Sequence, residues 1–342
     1  MIHGDLKNIV KLGVLAACLS SFTLGQALHP VSKPGPIDIF ASDRMGFIDS
    51  SGKLVIGFNF YYVHEFREGL AAVQLVKDGK EGYIDEHGKL VIEPKYDSAF
   101  PFSNGRAKVK IDGRWGFIDR NGDLISTPEM DEATNFSAGY AAYRKNGLWG
   151  FIGLDGEITI PPKFKLVSPF NDGLAAVVVD KKLGYIDPTG KYVINPQFDI
   201  PPVNGHLLMD SIFSEGRIAV FNNGKFRYLD KDFRPISPLK FDRAEPFSNG
   251  MALVQVDGKY GYIDLNGTIK ISPTFMDATS FLSNMAGVRG DLKWGVIDKE
   301  GKFIVDPKYE FAIPLEDGLV RYMQEGRIGY LNSNGQIVWN AQ

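Results

Sequence analysis

The sequence predicts an all-β protein assembled from tandem copies of one short unit. Three observations carry that expectation: a tetrapeptide that recurs at near-constant spacing, a turn at the same offset in most copies, and a composition rich in glycine, Phe and Tyr. The 342 residues include 38 Gly, 24 Phe and 14 Tyr, a pairing that favours many turns and aromatic-bearing strands over long helices.

The tetrapeptide begins at Gly46-Phe47-Ile48-Asp49 and returns at Gly82, Gly116, Gly150, Gly184, Arg227, Gly261, Gly295 and Gly329. The intervals are 36, 34, 34, 34, 43, 34, 34 and 34 residues, a regularity that chance does not produce. Within a unit, residues 70–76 read as a strand and Asp78-Gly79 as a turn. Residues 81–85 form a second strand, with Tyr83 and Ile84 on opposite faces because side chains alternate. Asp85-Glu86-His87-Gly88 is the next turn, and residues 90–92 make a third strand stopped by Pro94. Asp at the first turn position accepts backbone hydrogen bonds, and Gly three residues later tolerates positive φ. Each unit is therefore expected to be a three-stranded meander followed by a loop such as 95–105.

Units of about 34 residues cannot bury an apolar face alone, so they must stack on one another. An open β superhelix is the expected arrangement, since it accepts any copy number and the unit is short beside propeller blades of ~40–50 residues. A β-propeller-like ring is the alternative.

Arg114-Trp115-Gly116-Phe117-Ile118-Asp119 and Lys293-Trp294-Gly295-Val296-Ile297-Asp298 are where the chain resembles the bacterial WG-repeat (KWG-repeat) proteins. Ile92-x-Pro94-x-Tyr96-Asp97 and Phe102-Ser103-x-Gly105 extend the likeness over roughly residues 37–340. The resemblance implies an architecture and no catalytic residues. Its eponymous Trp stands only at Trp115, Trp149 and Trp294; elsewhere the slot holds Met45, Glu81, Leu183, Phe226, Tyr260 or Ile328. That mixture fits a semi-buried packing position.

The start of the chain reads as an export signal. Lys7 and Lys11 precede an apolar, small-residue run over 12–25, and Gly25 and Ala27 suit cleavage before Leu28. Residues 1–27 are accordingly the expected signal peptide, 28–36 a short linker, and 37–342 the repeat domain. The run is shorter than the roughly 20 residues that span a bilayer, and no later stretch approaches that length. An alternative reading takes Leu15-Ala16-Ala17-Cys18 as a lipoprotein box, with residues 1–17 removed and Cys18 lipidated. Cys18 is the only cysteine, so the exported chain has no internal disulfide, thiolate metal site or cysteine nucleophile.

Composition narrows function further. A net charge of −3 without a basic block argues against a nucleic-acid partner. His29, His64, His87 and His206 show no metal-ligand spacing, and Asp119-Arg120-Asn121-Gly122-Asp123 has its Gly where sibling turns have it, not where a calcium loop needs it. Neither a metal nor a cofactor is expected, and no motif selects a catalytic residue. Phe102, Phe136, Phe170, Phe247 and Phe281 recur in the connecting loops and read as core more readily than as glycan-stacking rings.

The main irregularity is a loop nine residues longer than its siblings, spanning 199–213. Its apolar content marks Ile200, Val203, Leu207, Leu208, Met209, Ile212 and Phe213, with His206, as candidate partner-contact residues. The following unit is degenerate, with Arg227 for Gly and Phe233 for the turn Gly. The leading functional reading is a non-catalytic exported protein that presents a binding surface for a protein or a cell-wall glycan in the envelope. An exported hydrolase with a site in a repeat groove or channel is the alternative, and a structural spacer the third reading.

Overall fold

The computed structural model describes residues 27–33, 44–125, 127–202 and 207–340. Residues 1–26 of the expected signal segment, Cys18 among them, lie outside these residues, as do Val203 and His206 of the long loop.

The described chain is β-structure throughout, apart from one short 3-10 turn, and falls into nine small antiparallel sheets, one for each copy of the tetrapeptide. The first holds β1 (Leu28–Ser32), β2 (Met45–Asp49) and β3 (Leu54–Phe60). The second is a meander of β4 (Tyr62–Val63), β5 (Leu70–Gln74), β6 (Glu81–Asp85) and β7 (Leu90–Tyr96). The third repeats it with β8 (Ser98–Ala99), β9 (Ala107–Ile111), β10 (Arg114–Ile118) and β11 (Leu124–Ile125).

The unit thus has four strands where three were expected. The additional strand, β4 or β8, is a two-residue piece of the segment expected to be loop, and pairs with the sheet that follows it. The third strand also runs on through Pro94 to Tyr96 instead of stopping. Pro94 is tolerated because β7 is an edge strand and its pairing with β6 is irregular there. Leu28–Ser32, expected as linker, is a full strand paired with β2.

The turns follow the chemistry read from the sequence. Asp85 Oδ1 accepts the amides of His87 and Lys89 at 3.0 and 2.9 Å, and Gly88 closes the turn at φ +79°. A second class of turn joins the first and second strands: Asn104 (φ 56°) and Gly105 (φ 73°) are both left-handed, as in a two-residue hairpin.

The core lies between sheets. Tyr83, Ile92 and Tyr96 of the second sheet pack with Phe102, Val109 and Ile118 of the third, while Ile84 packs back against Phe47 and Ile56 of the first. Alternation along β6 therefore feeds two neighbouring cores, as expected for Tyr83 and Ile84.

The expected open superhelix is not what forms. The sheets close into a β-propeller ring, because the last sheet packs on the first as any sheet packs on its neighbour. Gly88 in the second sheet sits against Ile56 of the first; in the same way Gly52 of the first sits against Val338 of the last. Val31 and Ile48 share a buried cluster with Leu319 and Tyr330, and the Tyr330 hydroxyl donates to Pro30 O at 2.8 Å. Unit length misled because the first strand of a four-stranded sheet needs only two residues, so a complete blade fits in 34.

Candidate functional site

The long loop goes mostly inward. Leu208 is fully buried and Phe213 is 7% exposed; both join a cluster that spans the fifth and sixth sheets, and Ile200 packs against it. Leu207 pairs in parallel with Val167, and the Leu208 amide donates to Val167 O at 2.8 Å. Met209 lies in the 3-10 turn Met209–Ser211, half-buried like Ile212. The cause is the neighbouring degenerate unit: the sixth sheet has two strands only, Ile218–Asn222 and Lys225–Leu229, and the insertion covers the apolar face it leaves. Leu208 and Phe213, expected as partner contacts, are therefore core residues.

The recurrent loop phenylalanines are core as well. Phe102, Phe136, Phe170, Phe247 and Phe281 are all at most 3% exposed, and their rings meet Tyr83, Phe117, Phe151, Tyr228 and Tyr262 at 4.7–5.1 Å. Trp149 and Trp294 are buried too, which leaves Trp115 as the half-buried tryptophan of the three.

Trp115 belongs to a group of side chains that sequence reasoning missed. Four rings follow one another across the second and third sheets: Tyr62 to His64 at 5.1 Å, His64 to Phe100 at 6.1 Å, and Phe100 to Trp115 at 5.8 Å. The Lys108 ammonium lies 4.3 Å from the Phe100 centroid and 4.8 Å from that of Trp115, with Lys110 at 5.2 Å from Trp115. Register explains the proximity, since Trp115 is directly opposite Lys110 and the Phe100 amide donates to Lys108 O at 3.0 Å. Lys108 Nζ donates to Ala133 O of the fourth sheet at 2.9 Å. Burial pushes the Lys108 ammonium down to about 8, and Glu132 opposes that shift. Desolvation likewise lowers the His64 imidazole and raises the Glu81 carboxyl, which accepts the Ala99 amide.

The signal that could have found this group is a column comparison at the repeat spacing. Lys108 occupies a position held by Ala72, Ala142, Ala176, Ala219 and Gly287 in five sibling strands and by Leu253 and Arg321 in two others. His64 and Phe100 stand where Thr134, Ser168 and Thr279 carry hydroxyls that accept the amides of Ala142, Ala176 and Gly287.

Among the described residues no group of three or more His, Cys, Asp or Glu side chains is placed to hold a metal ion, and no helix is long and apolar enough to cross a membrane.

Fold and surface together define a repeat β-propeller. The WG containing repeat family matches residues 45–80, 82–115, 115–149, 149–182, 184–200, 226–260, 260–290 and 294–327. The chain belongs to the WG-repeat family. Among curated proteins none matches the sequence. A crystal structure of the eukaryotic initiation factor is similar at 12% identity and a TM-score of 0.60, over 92% of this chain and 95% of that one. A dihydro-heme d1 dehydrogenase, NirN in complex with DHE, is similar at 13% identity and 0.47, over 93% and 78%. A streptogramin B lyase shares 12% identity at 0.39, over 90% and 98%. At 12% identity the first of these likenesses concerns the fold and not an activity.

Proposed function

We propose that this protein is an exported, non-catalytic binding ring that holds a glycan or a protein of the cell envelope on the sector formed by the second to fourth sheets. One observation carries the reading: in that sector a row of four rings lies beside two lysines, with Lys108 standing where five sibling strands carry Ala or Gly and His64 and Phe100 where three carry a hydroxyl. Such side chains suit stacking and charge recognition, whereas the turns and hairpins elsewhere are engaged in holding the ring together. Export is supported by Lys7 and Lys11, the short apolar run and the small residues at 25 and 27. Cleavage before Leu28 would leave β1 intact as the first strand of the ring.

The test compares retention of the purified protein on washed envelope fractions before and after Lys108→Ala together with Trp115→Leu. Retention that falls at least tenfold, with no turnover of ester or glycan substrates by either protein, is the expected result. Unchanged retention would remove the sector from the reading. Turnover that disappears on changing a single carboxylate would replace the binder with the exported hydrolase. N-terminal sequencing from a native-type host checks export: the expected start is Leu28 or lipidated Cys18, and an intact Met1 in the soluble cytoplasm would defeat it.

A further inference from the structure

Resting on that reading, we propose that Tyr62, His64, Phe100 and Trp115, with Lys108 and Lys110, form a binding site for a saccharide chain that carries carboxylate groups. Three features point to this ligand class. First, the rings form a row and not a single cage, with successive steps of 5.1, 6.1 and 5.8 Å. A row suits an elongated ligand made of linked rings, each apolar sugar face meeting an aromatic one.

Second, the charge is unspent. Among the described residues neither Lys108 nor Lys110 has a carboxylate within ion-pair distance, and Lys108 uses one of its three donors, on Ala133 O. The nearby acids are already engaged: Glu132 lies 3.5 Å from Arg144, and Glu81 accepts the Ala99 amide. A half-buried ammonium whose acid, Glu132, acts on it only from beyond ion-pair distance is costly, and an arriving carboxylate would offset that cost.

Third, the fold does not ask for these side chains. Five sibling strands close the same sheets with Ala or Gly where Lys108 stands, two others with Leu253 and Arg321, and at Thr134 and Thr279 they gain a hydroxyl–amide hydrogen bond that His64 and Phe100 forgo. Local stability has been given up for surface chemistry, the pattern of a functional site.

The experiment titrates the full chain with tri-galacturonate, following heat and tryptophan emission, beside neutral chitotriose and a short poly-glutamate peptide. Lys108→Ala with Lys110→Gln is the informative variant, because Ala and Gln are what sibling strands carry at those positions (Ala72 and Gln74), so folding should survive. Saturable tri-galacturonate binding, at least tenfold weaker in the variant and at least tenfold tighter than chitotriose, is the expected result. Absence of binding, or binding that the variant leaves intact, would overturn the proposal. Equal affinity for chitotriose would overturn its charge requirement, and preference for the peptide would replace the saccharide by an acidic protein segment. If tri-galacturonate fails while envelope retention still depends on Lys108 and Trp115, the ligand class is wrong and the binding ring stands.

Discussion

Lys108 shows at the scale of one residue what a desolvated charge costs the ring. Its ammonium is wedged between the Phe100 and Trp115 rings and the Ala133 carbonyl, with Glu132 the acid that partly relieves the desolvation and Lys110 the other cation beside Trp115. The folded chain holds this group near 8, against an ordinary value of 10.5. Between those values the unfolded chain binds the extra proton, so this group's contribution to stability improves as pH rises through the window. Lys108→Ala is therefore expected to stabilise the protein at pH 7, by roughly 1–3 kcal/mol. The gain should shrink as melts are repeated from pH 8 towards pH 10.5. A variant less stable than the parent at pH 7 would mean that the lysine stem packs better than its charge costs. None of this was legible along one strand, where Lys108 and Lys110 look like ordinary alternating polar residues of 107–111. It becomes legible only when the copies are laid over one another and Lys108 falls in a column that is Ala or Gly in five of them and Leu253 or Arg321 in two more.

At the scale of the element, the invariant-looking Gly of the tetrapeptide has a cause that the turns do not supply. A Cβ on Gly82 would lie 2.4 Å from Ile92 O and 2.8 Å from Pro94 N, because β7 presses its bulged backbone onto β6. The same crowding recurs at Gly46, Gly150, Gly184, Gly261 and Gly295. Among the described residues Gly116 meets a Leu124 methyl at 3.5 Å, and where the fourth strand is lost, in the sixth sheet, Arg227 takes the position. Gly82→Ala should cost roughly 1–3 kcal/mol or more by overpacking against backbone. Gly116→Ala should stay within about 0.5 kcal/mol, as for a substitution without such a neighbour. Denaturant midpoints of the two variants measure the difference, and equal costs would reject the bulge as the cause. The long loop is settled by the same logic: Leu208→Ala should cost about 2–5 kcal/mol, as a fully buried leucine does, whereas a leucine waiting for a partner would cost little. The tetrapeptide, its turns and the loop phenylalanines were legible because each repeats a hydrogen-bonding or packing need nine or so times over. The two-residue strands β4 and β8 were not, since two residues carry no periodicity, and the destination of 199–213 depended on a missing strand in the next unit.

At the scale of the whole molecule, closure was the feature least available to sequence, because it is set by the rotation between successive sheets and not by any pattern within a unit. The seam uses no shared strand: the three-stranded first sheet, β1–β3, and the four-stranded last sheet, which ends at Ile337–Trp339, meet face to face. Burial of Val31, Ile48, Leu319 and Tyr330 supplies most of the attraction, at roughly 1.5–3 kcal/mol for each large side chain. Around that cluster, His29 Nε2 meets Asp317 Oδ2 at 2.7 Å, Arg321 donates to Glu65 at 3.0 Å, and Arg67 pairs with Glu316. Glu65 and Arg67 belong to the second unit and reach the last one because the first sheet has no two-residue strand in between. The exposed Arg67–Glu316 pair contributes little and the largely buried His29–Asp317 pair is screened little, so raising salt should leave most of the seam intact. An open array that lost its terminal unit would lose one increment of stability and go on unfolding gradually. A ring that loses residues 310–342 bares two apolar faces at once, the Val31 and Ile48 side and the Trp294 and Val305 side. The chain cut after 309 is thus expected to lose cooperative unfolding, or to melt far below the full chain, when both are followed by circular dichroism through a denaturant series. Leu319→Ala in the full chain gives the gentler version, with an expected cost of about 2–5 kcal/mol and a single transition retained. Should the shortened chain keep a sharp transition at nearly the parent midpoint, the seam would add nothing to stability, and closure would matter only for bringing the second unit's Glu65 and Arg67 beside the last.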